Sequence, residues 1–186
     1  KNGDYSFTLH GNTPAAFNLI HGGKNLVTNL FIIPGDNMQL NFIGKSNQPE
    51  LFPSGEEAKY NTYLIKFLDT FYRIPATKQD YYITTNYMDL HQFATYNDAR
   101  KKKQLDFFND FFNDASINID FKNYAMNTIH YGIAVDRLMY LWKKRMKGES
   151  VVPDPAFLNF ETPGFIENMN AFACPAYIRF LNLYIK

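Results

Sequence analysis

The sequence predicts an α+β fold: an antiparallel β-meander over residues 1–48, then a mainly α-helical region over residues 54–186. Three observations carry this reading. Apolar and polar residues alternate with a period of two through the first 44 residues, the pattern of half-buried strands. Clusters of Gly, Pro, Asn and Asp interrupt that alternation at short intervals, as tight turns require. From Ser54 onward the apolar positions recur at the spacing of a helix face.

Taken in order, Tyr5, Phe7 and Leu9 alternate with Ser6, Thr8 and His10, and Gly11-Asn12-Thr13-Pro14 supplies a turn. Phe17 and Leu19 resume the alternation, and Gly22-Gly23-Lys24-Asn25 turns the chain again. Leu26 to Ile33 is apolar and β-branched enough for a central strand. Pro34-Gly35-Asp36-Asn37 makes a third turn before Met38, Leu40 and Phe42, which alternate up to Gly44. So small a sheet has two open edges. It is expected to be part of a β-sandwich-like domain that is incomplete at its N-terminus, or to pack on the helices. Residues 45–53, with Pro49 and Pro53, read as a linker.

Ser54-Gly55-Glu56-Glu57 fits a capping box, in which the Ser54 hydroxyl and Glu57 carboxylate satisfy free N–H groups of a first helical turn. Behind it, Tyr60, Tyr63, Leu64, Phe67, Leu68 and Phe71 share one helix face, and Pro75 ends the run. A second helix is predicted over 87–113, with Leu90, Phe93, Phe108 and Phe112 among its apolar positions. A third is predicted over 121–147, its inward stripe being Phe121, Tyr124, Thr128, Tyr131, Val135, Leu138 and Trp142. Lys143, Lys144, Arg145 and Lys147 suit the negative end of that helix dipole, and Gly148 stops it. After Pro153, Pro155 and Pro163, Pro175 opens a last helix carrying Tyr177, Ile178, Leu181 and Tyr184.

Composition excludes several function classes. Hydrophobic residues are 46% of the 186, including 18 Phe and 13 Tyr, which is ample for a core. Each buried Phe contributes roughly 1.5–3 kcal/mol. The net charge of +1 gives no global field for nucleic acid. No apolar run approaches the roughly 20 residues of a membrane span. The single cysteine, Cys174, leaves no intrachain disulfide and no Cys-based metal site.

Arg100-Lys101-Lys102-Lys103 sweeps about 300° around a helix and cannot track a phosphate backbone. A solvated surface is expected there, with Asp98 and Asp106 spaced to pair with Lys102. Among His10, His21, His91 and His130 no pair has metal-binding helical spacing, and His130 and Asp136 lie about 240° apart on one helix. His10 and His21 could meet across the first hairpin. Glu56 and Glu57 are explained by capping. None of Ser6, Ser46, Ser54, Ser116 and Ser150 lies in a nucleophile-elbow motif, and Gly22-Gly23-Lys24 lacks phosphate-loop spacing. For Cys174, Pro175 places the thiol at a helix N-terminus, which lowers its pKa, while Phe172, Ala173, Ala176 and Tyr177 make an apolar setting, which raises it. The sequence assigns no catalytic, cofactor-binding or metal-binding residue.

The order of features is the most informative signal. Phe31-Ile32-Ile33-Pro34-Gly35-Asp36-Asn37-Met38 is followed by a strand, then Tyr60-Asn61-Thr62-Tyr63-Leu64, then two longer helices. This resembles the N-terminal, non-thioredoxin region of Bacteroides-type TlpA-like thioredoxin-family thiol-disulfide oxidoreductases. Phe121-Lys122-Asn123-Tyr124-Ala125, Ile129-His130-Tyr131, and Cys174-Pro175-Ala176-Tyr177 with Phe180-Leu181 look like further parts of that region. The resemblance implies a periplasmic or lipoprotein-anchored location and a Cys-x-x-Cys beyond Lys186. It carries no active-site residue onto this chain.

The expectation is therefore a non-catalytic accessory or interaction module preceding a thioredoxin-like domain. Its partners would be that domain, a second copy of itself or the parent's protein substrates. The alternative is a stand-alone binding protein with an aromatic-lined pocket between helices. An enzyme using His10 or His21 ranks third.

Overall fold

A computed structural model gives the architecture and describes residues 8–21, 24–43, 50–55, 57–73, 86–113, 116–160 and 162–185. The chain is α+β and divides into two compact units, Lys1–Asn61 and Thr62–Lys186. The strands are β1 (Ala15–His21), β2 (Lys24–Ile32), β3 (Met38–Ile43) and β4 (Glu50–Gly55). The helices are α1 (Ala58–Leu68), α2 (Leu90–Phe112), α3 (Ile119–Met146), α4 (Pro163–Ile166) and α5 (Pro175–Tyr184). A π-helical turn, Asp69–Arg73, extends α1, and a 3-10 turn, Met169–Ala171, precedes α5.

In the first unit the strands form two separate antiparallel pairs, β1–β2 and β3–β4, where the alternation alone predicts one meander. Asn61 supplies the physical reason. Its buried side-chain amide donates to the Phe31 carbonyl and accepts from the Phe31 N–H, both at 2.8 Å. Both main-chain groups of Phe31, on β2, are thus taken by a side chain where a third strand would otherwise pair. The same amide reaches Met38 Sδ at 3.2 Å, at the start of β3.

Two predictions in this region are corrected. Residues 50–53 are not linker but β4, with Pro53 opposite Leu40. A strand of a two-stranded sheet has an unpaired edge, and there proline's missing N–H costs no ladder bond. Nor is Ser54 a helix cap. It lies opposite Gln39 in the strand, and its Oγ accepts from Asn41 Nδ2 at 3.3 Å. Glu56 lies outside the described residues, and α1 begins at Ala58. Ladder pairing extends through Gly55, opposite Met38, and this longer-range constraint overrides the local Ser-x-x-Glu signal. Of the first predicted strand, residues 5–7 lie outside the described residues and residues 8–10 carry no strand.

The turns follow their residue types. Gly35 has φ +94°, Asp36 N–H donates to the Ile33 carbonyl at 3.0 Å, and Asp36 Oδ2 accepts from Ile33 N–H at 2.8 Å. That is a Pro-Gly turn closed from both sides. In β2, Asn29 takes φ +60° beside a register shift and donates its N–H to Asn18 Oδ1 at 3.1 Å. An extra residue is accommodated as a bulge, and Asn is suited to the left-handed conformation this needs.

The second unit is a helical assembly built on rings. Tyr63, Phe67, Phe108, Phe112 and Phe121 are buried, and Tyr63 packs edge-on to Phe108 and Phe121. A second cluster joins Tyr131, Phe160, Phe165, Tyr177 and Phe180. Helix starts are capped by residues the sequence pattern did not single out. Asp89 and Gln92 form a capping box on α2, and the Asn118 side chain accepts from the N–H groups of Asp120 and Phe121 on α3. Gly148, at φ +76°, ends α3 as predicted.

The inward stripe of α3 holds at Phe121, Tyr124, Tyr131 and Val135 but fails at Trp142, which is 51% exposed. Tyr140 and Arg137 take the inward positions, and Trp142 lies about 200° around the helix from Tyr140.

Glycine at position 55 is a structural requirement. Its φ is +114°, and an added Cβ would stand 2.6 Å from the Asn37 carbonyl oxygen. Gly35→Ala meets no atom within 4 Å and suffers only the backbone strain of about 1–3 kcal/mol. Gly55→Ala is expected to lower the urea midpoint, followed by far-UV circular dichroism, by clearly more than Gly35→Ala.

Candidate functional site

The periodicity of two helices assembles the site. His130, Ile133, Ala134 and Arg137 recur at i, i+3, i+4, i+7 on α3 and so share one face. On α2, Asp98 and Lys101 are three residues apart and also neighbours. These six residues, with Asn159, Phe160 and Phe165, line a cleft of about 250 Å3 within the helical unit.

Arg137 forms the floor. It is 2% exposed, and its guanidinium donates to Asn97 Oδ1 at 3.2 Å, the Phe157 carbonyl at 2.9 Å, Asn159 Oδ1 at 3.1 Å and, weakly, the Ala156 carbonyl at 3.4 Å. Its remaining nitrogen ion-pairs with Asp98 on α2. The Phe157 ring lies 5.4 Å from the guanidinium carbon. A buried guanidinium is tolerable only when its forked donors are met, and here acceptors come from α2 and from the loop before α4. Arg137 is therefore a tie between elements.

The basic run divides according to what each residue meets. Arg100 pairs with Asp136 on α3, donates to the Phe71 carbonyl at 3.3 Å and lies 4.7 Å from the Tyr72 ring centroid. It is thus half-buried structure, correcting the expected solvated surface. Lys102 pairs with Asp106 as the spacing predicts, while Asp98 pairs with Arg137 instead. The fully desolvated guanidinium gains more from a carboxylate than an exposed lysine does. Lys101 forms no ion pair among the described residues and faces the cleft.

His130 is half-buried in the cleft wall, with no hydrogen bond to a described residue. Burial, and secondarily the Lys101 charge, push its pKa below the ordinary histidine value. The imidazole is therefore neutral at pH 7. Asp136, on the same helix, is committed to Arg100.

The other candidates lie apart from this site. His10 and His91 are exposed, and the His21 side chain lies outside the described residues, as do Gly22 and Gly23. The strands flanking those glycines pair at His21 and Lys24, leaving a two-residue connection. Glu57 Oε2 is buried with no hydrogen-bond partner among the described residues. Cys174, 1% exposed, precedes Pro175 at the start of α5. Its sulfur lies 3.5 Å from Thr128 Oγ1, and burial raises the thiol pKa despite the helix terminus. Of the two opposing influences on Cys174, desolvation wins. Among the described residues, no group of three or more His, Cys, Asp or Glu could hold a metal ion, and no helix is long and apolar enough to cross a membrane.

Sequence reasoning passed over Arg137, Asn97 and Asn159. The signal available for Arg137 was its place three residues from both Ala134 and Tyr140, a lone charge on an otherwise apolar face. No family model, no curated protein and no solved structure matches the chain.

Replacing Arg137 by Met leaves the Asn97 and Phe157 acceptors unmet and is expected to cost about 1–3 kcal/mol for each of them in urea unfolding. Asp98→Asn keeps an acceptor but removes the counter-charge of a desolvated guanidinium, and is expected to cost no more than about 1.5–3 kcal/mol. Native Cys174 should react with iodoacetamide far more slowly than in denaturant, tracked by mass spectrometry. Equal rates would contradict the burial.

Proposed function

We propose that this chain is a non-catalytic accessory and interaction module that precedes a thioredoxin-like domain in a cell-envelope thiol-disulfide oxidoreductase. The burial of Cys174 carries the non-catalytic part of this reading. A redox thiol needs an accessible, stabilised thiolate, whereas this one is enclosed and its pKa is raised. The resemblance at Phe31–Met38 and Tyr60–Leu64 supports the family part. The turn at Ile33–Asp36 and the Phe31–Asn61 pair give residues within those strings structural roles.

The interaction part is supported by the end of α3. Trp142 and Met146 are four residues apart, exposed, and adjacent on the helix surface. Exposed Trp beside a flexible Met is the composition of protein-binding anchors.

Two measurements test the reading. The reading frame beyond the Lys186 codon is expected to encode a Cys-x-x-Cys at a helix start. An immediate stop codon would remove the redox association. Trp142 is the only tryptophan of the 186 residues, so its emission reports on that surface alone. A blue shift and reduced acrylamide quenching are expected when the downstream domain is attached or when the chain self-associates. Unchanged emission in both cases would end the interaction part.

A further inference from the structure

The cleft between α2 and α3 combines features that the structural tie through Arg137 does not use. Lys101 presents an ammonium, and His130 an imidazole, neither with an ion-pair or hydrogen-bond partner among the described residues. The Asn159 amide oxygen accepts from Arg137, which leaves its NH₂ donors available. The lining also carries the apolar Ile133, Ala134, Phe160 and Phe165. The lining therefore combines hydrogen-bond donors with apolar and aromatic surface.

We infer that this cleft binds a small amphiphilic monocarboxylate, its carboxylate on Lys101 and its hydrocarbon part against Phe160 and Phe165. Charge fixes the anion class. Among the described lining residues the cations are Lys101 and Arg137 and the only carboxylate is Asp98, a net charge of +1 that a single negative charge neutralises. Size fixes the scale: about 250 Å3 is below the roughly 300–1,000 Å3 of drug-sized sites. An aryl- or short alkyl-carboxylate meets both limits. The inference is independent of whether a redox domain follows the module.

His130 gives the site its own reporter. Lys101 and Asp98 face it from α2, Arg137 lies on its own helix, and the loop contributes the neutral Asn159 and Phe160. Burial and Lys101 both disfavour its cation. A bound carboxylate offsets Lys101, so the His130 titration moves up in pH on binding.

The test is titration of the 186-residue chain with phenylacetate at constant ionic strength, following the imidazole C–H resonances by NMR. Saturable shifts of His130 are expected, with a Kd on the order of 1 mM for so small a ligand, and with an upward move of its titration. The neutral 2-phenylethanol should bind at least about tenfold more weakly, as should phenylacetate to Lys101→Gln. Among the described residues Lys101 has no ion pair to lose on substitution. Non-saturating shifts, or equal binding of phenylacetate and 2-phenylethanol to the native chain, would overturn the proposal. A Lys101→Gln protein that binds as tightly as the native one would overturn it too.

Discussion

The helical unit depends on a single desolvated cation. Arg137 has no water to fall back on, so each of its acceptors must be presented at hydrogen-bond distance when the unit forms. Those acceptors belong to α2 and to the loop at 156–159, which lie far apart in sequence. Satisfying one guanidinium thereby fixes how α2 approaches α3 and where the chain runs before α4. Phe93 and Tyr140 stack at 4.3 Å, with Phe157 beside them, so the apolar packing adjoining Arg137 is set in the same event. Buried polar networks of this kind make alternative packings costly more than they raise stability.

The first unit solves a related problem with a neutral group. Two-stranded sheets are marginal by themselves, and each leaves main-chain donors and acceptors on its edges. The Asn61 amide presents an N–H and a C=O side by side as a peptide does, and it meets Phe31 as a strand residue would. One amide side chain on α1 thus replaces a local stretch of ladder. Buried Asn61 and buried Arg137 play matching parts, each supplying hydrogen bonds where regular secondary structure supplies none.

Much of the fold was legible because it rests on local periodicity. The stripe from Tyr60 through Phe67 identified α1, Phe108 and Phe112 identified α2, and Pro175 marked the start of α5. What the sequence concealed was decided at long range. Pro53 and the Ser54–Glu57 string look like a linker and a cap until β3 is seen to pair with β4. Asp98 stands at helix spacing from Lys102, yet a buried guanidinium on another helix outcompetes it. The cleft was hidden for the same reason: His130 and Lys101 carry ordinary signals singly, and only the packing of α2 on α3 joins them. Arg137 was partly visible, as a charge interrupting an apolar face.

Residues 156–157 and 165–166 are held by their backbone. Arg137 binds the carbonyls of residues 156 and 157, and the hydroxyls of Tyr131 and Tyr177 donate to those of residues 165 and 166, each at 2.7 Å. Carbonyl groups are common to every residue type. Side-chain identity at exposed positions such as Ala156 can therefore drift without disturbing these attachments. Chain length cannot, because one inserted or deleted residue between positions 157 and 165 would move a carbonyl out of reach at one end. Divergence along this stretch should accumulate as substitutions, and the spacing between its anchored carbonyls should mark a relative after the letters themselves have changed.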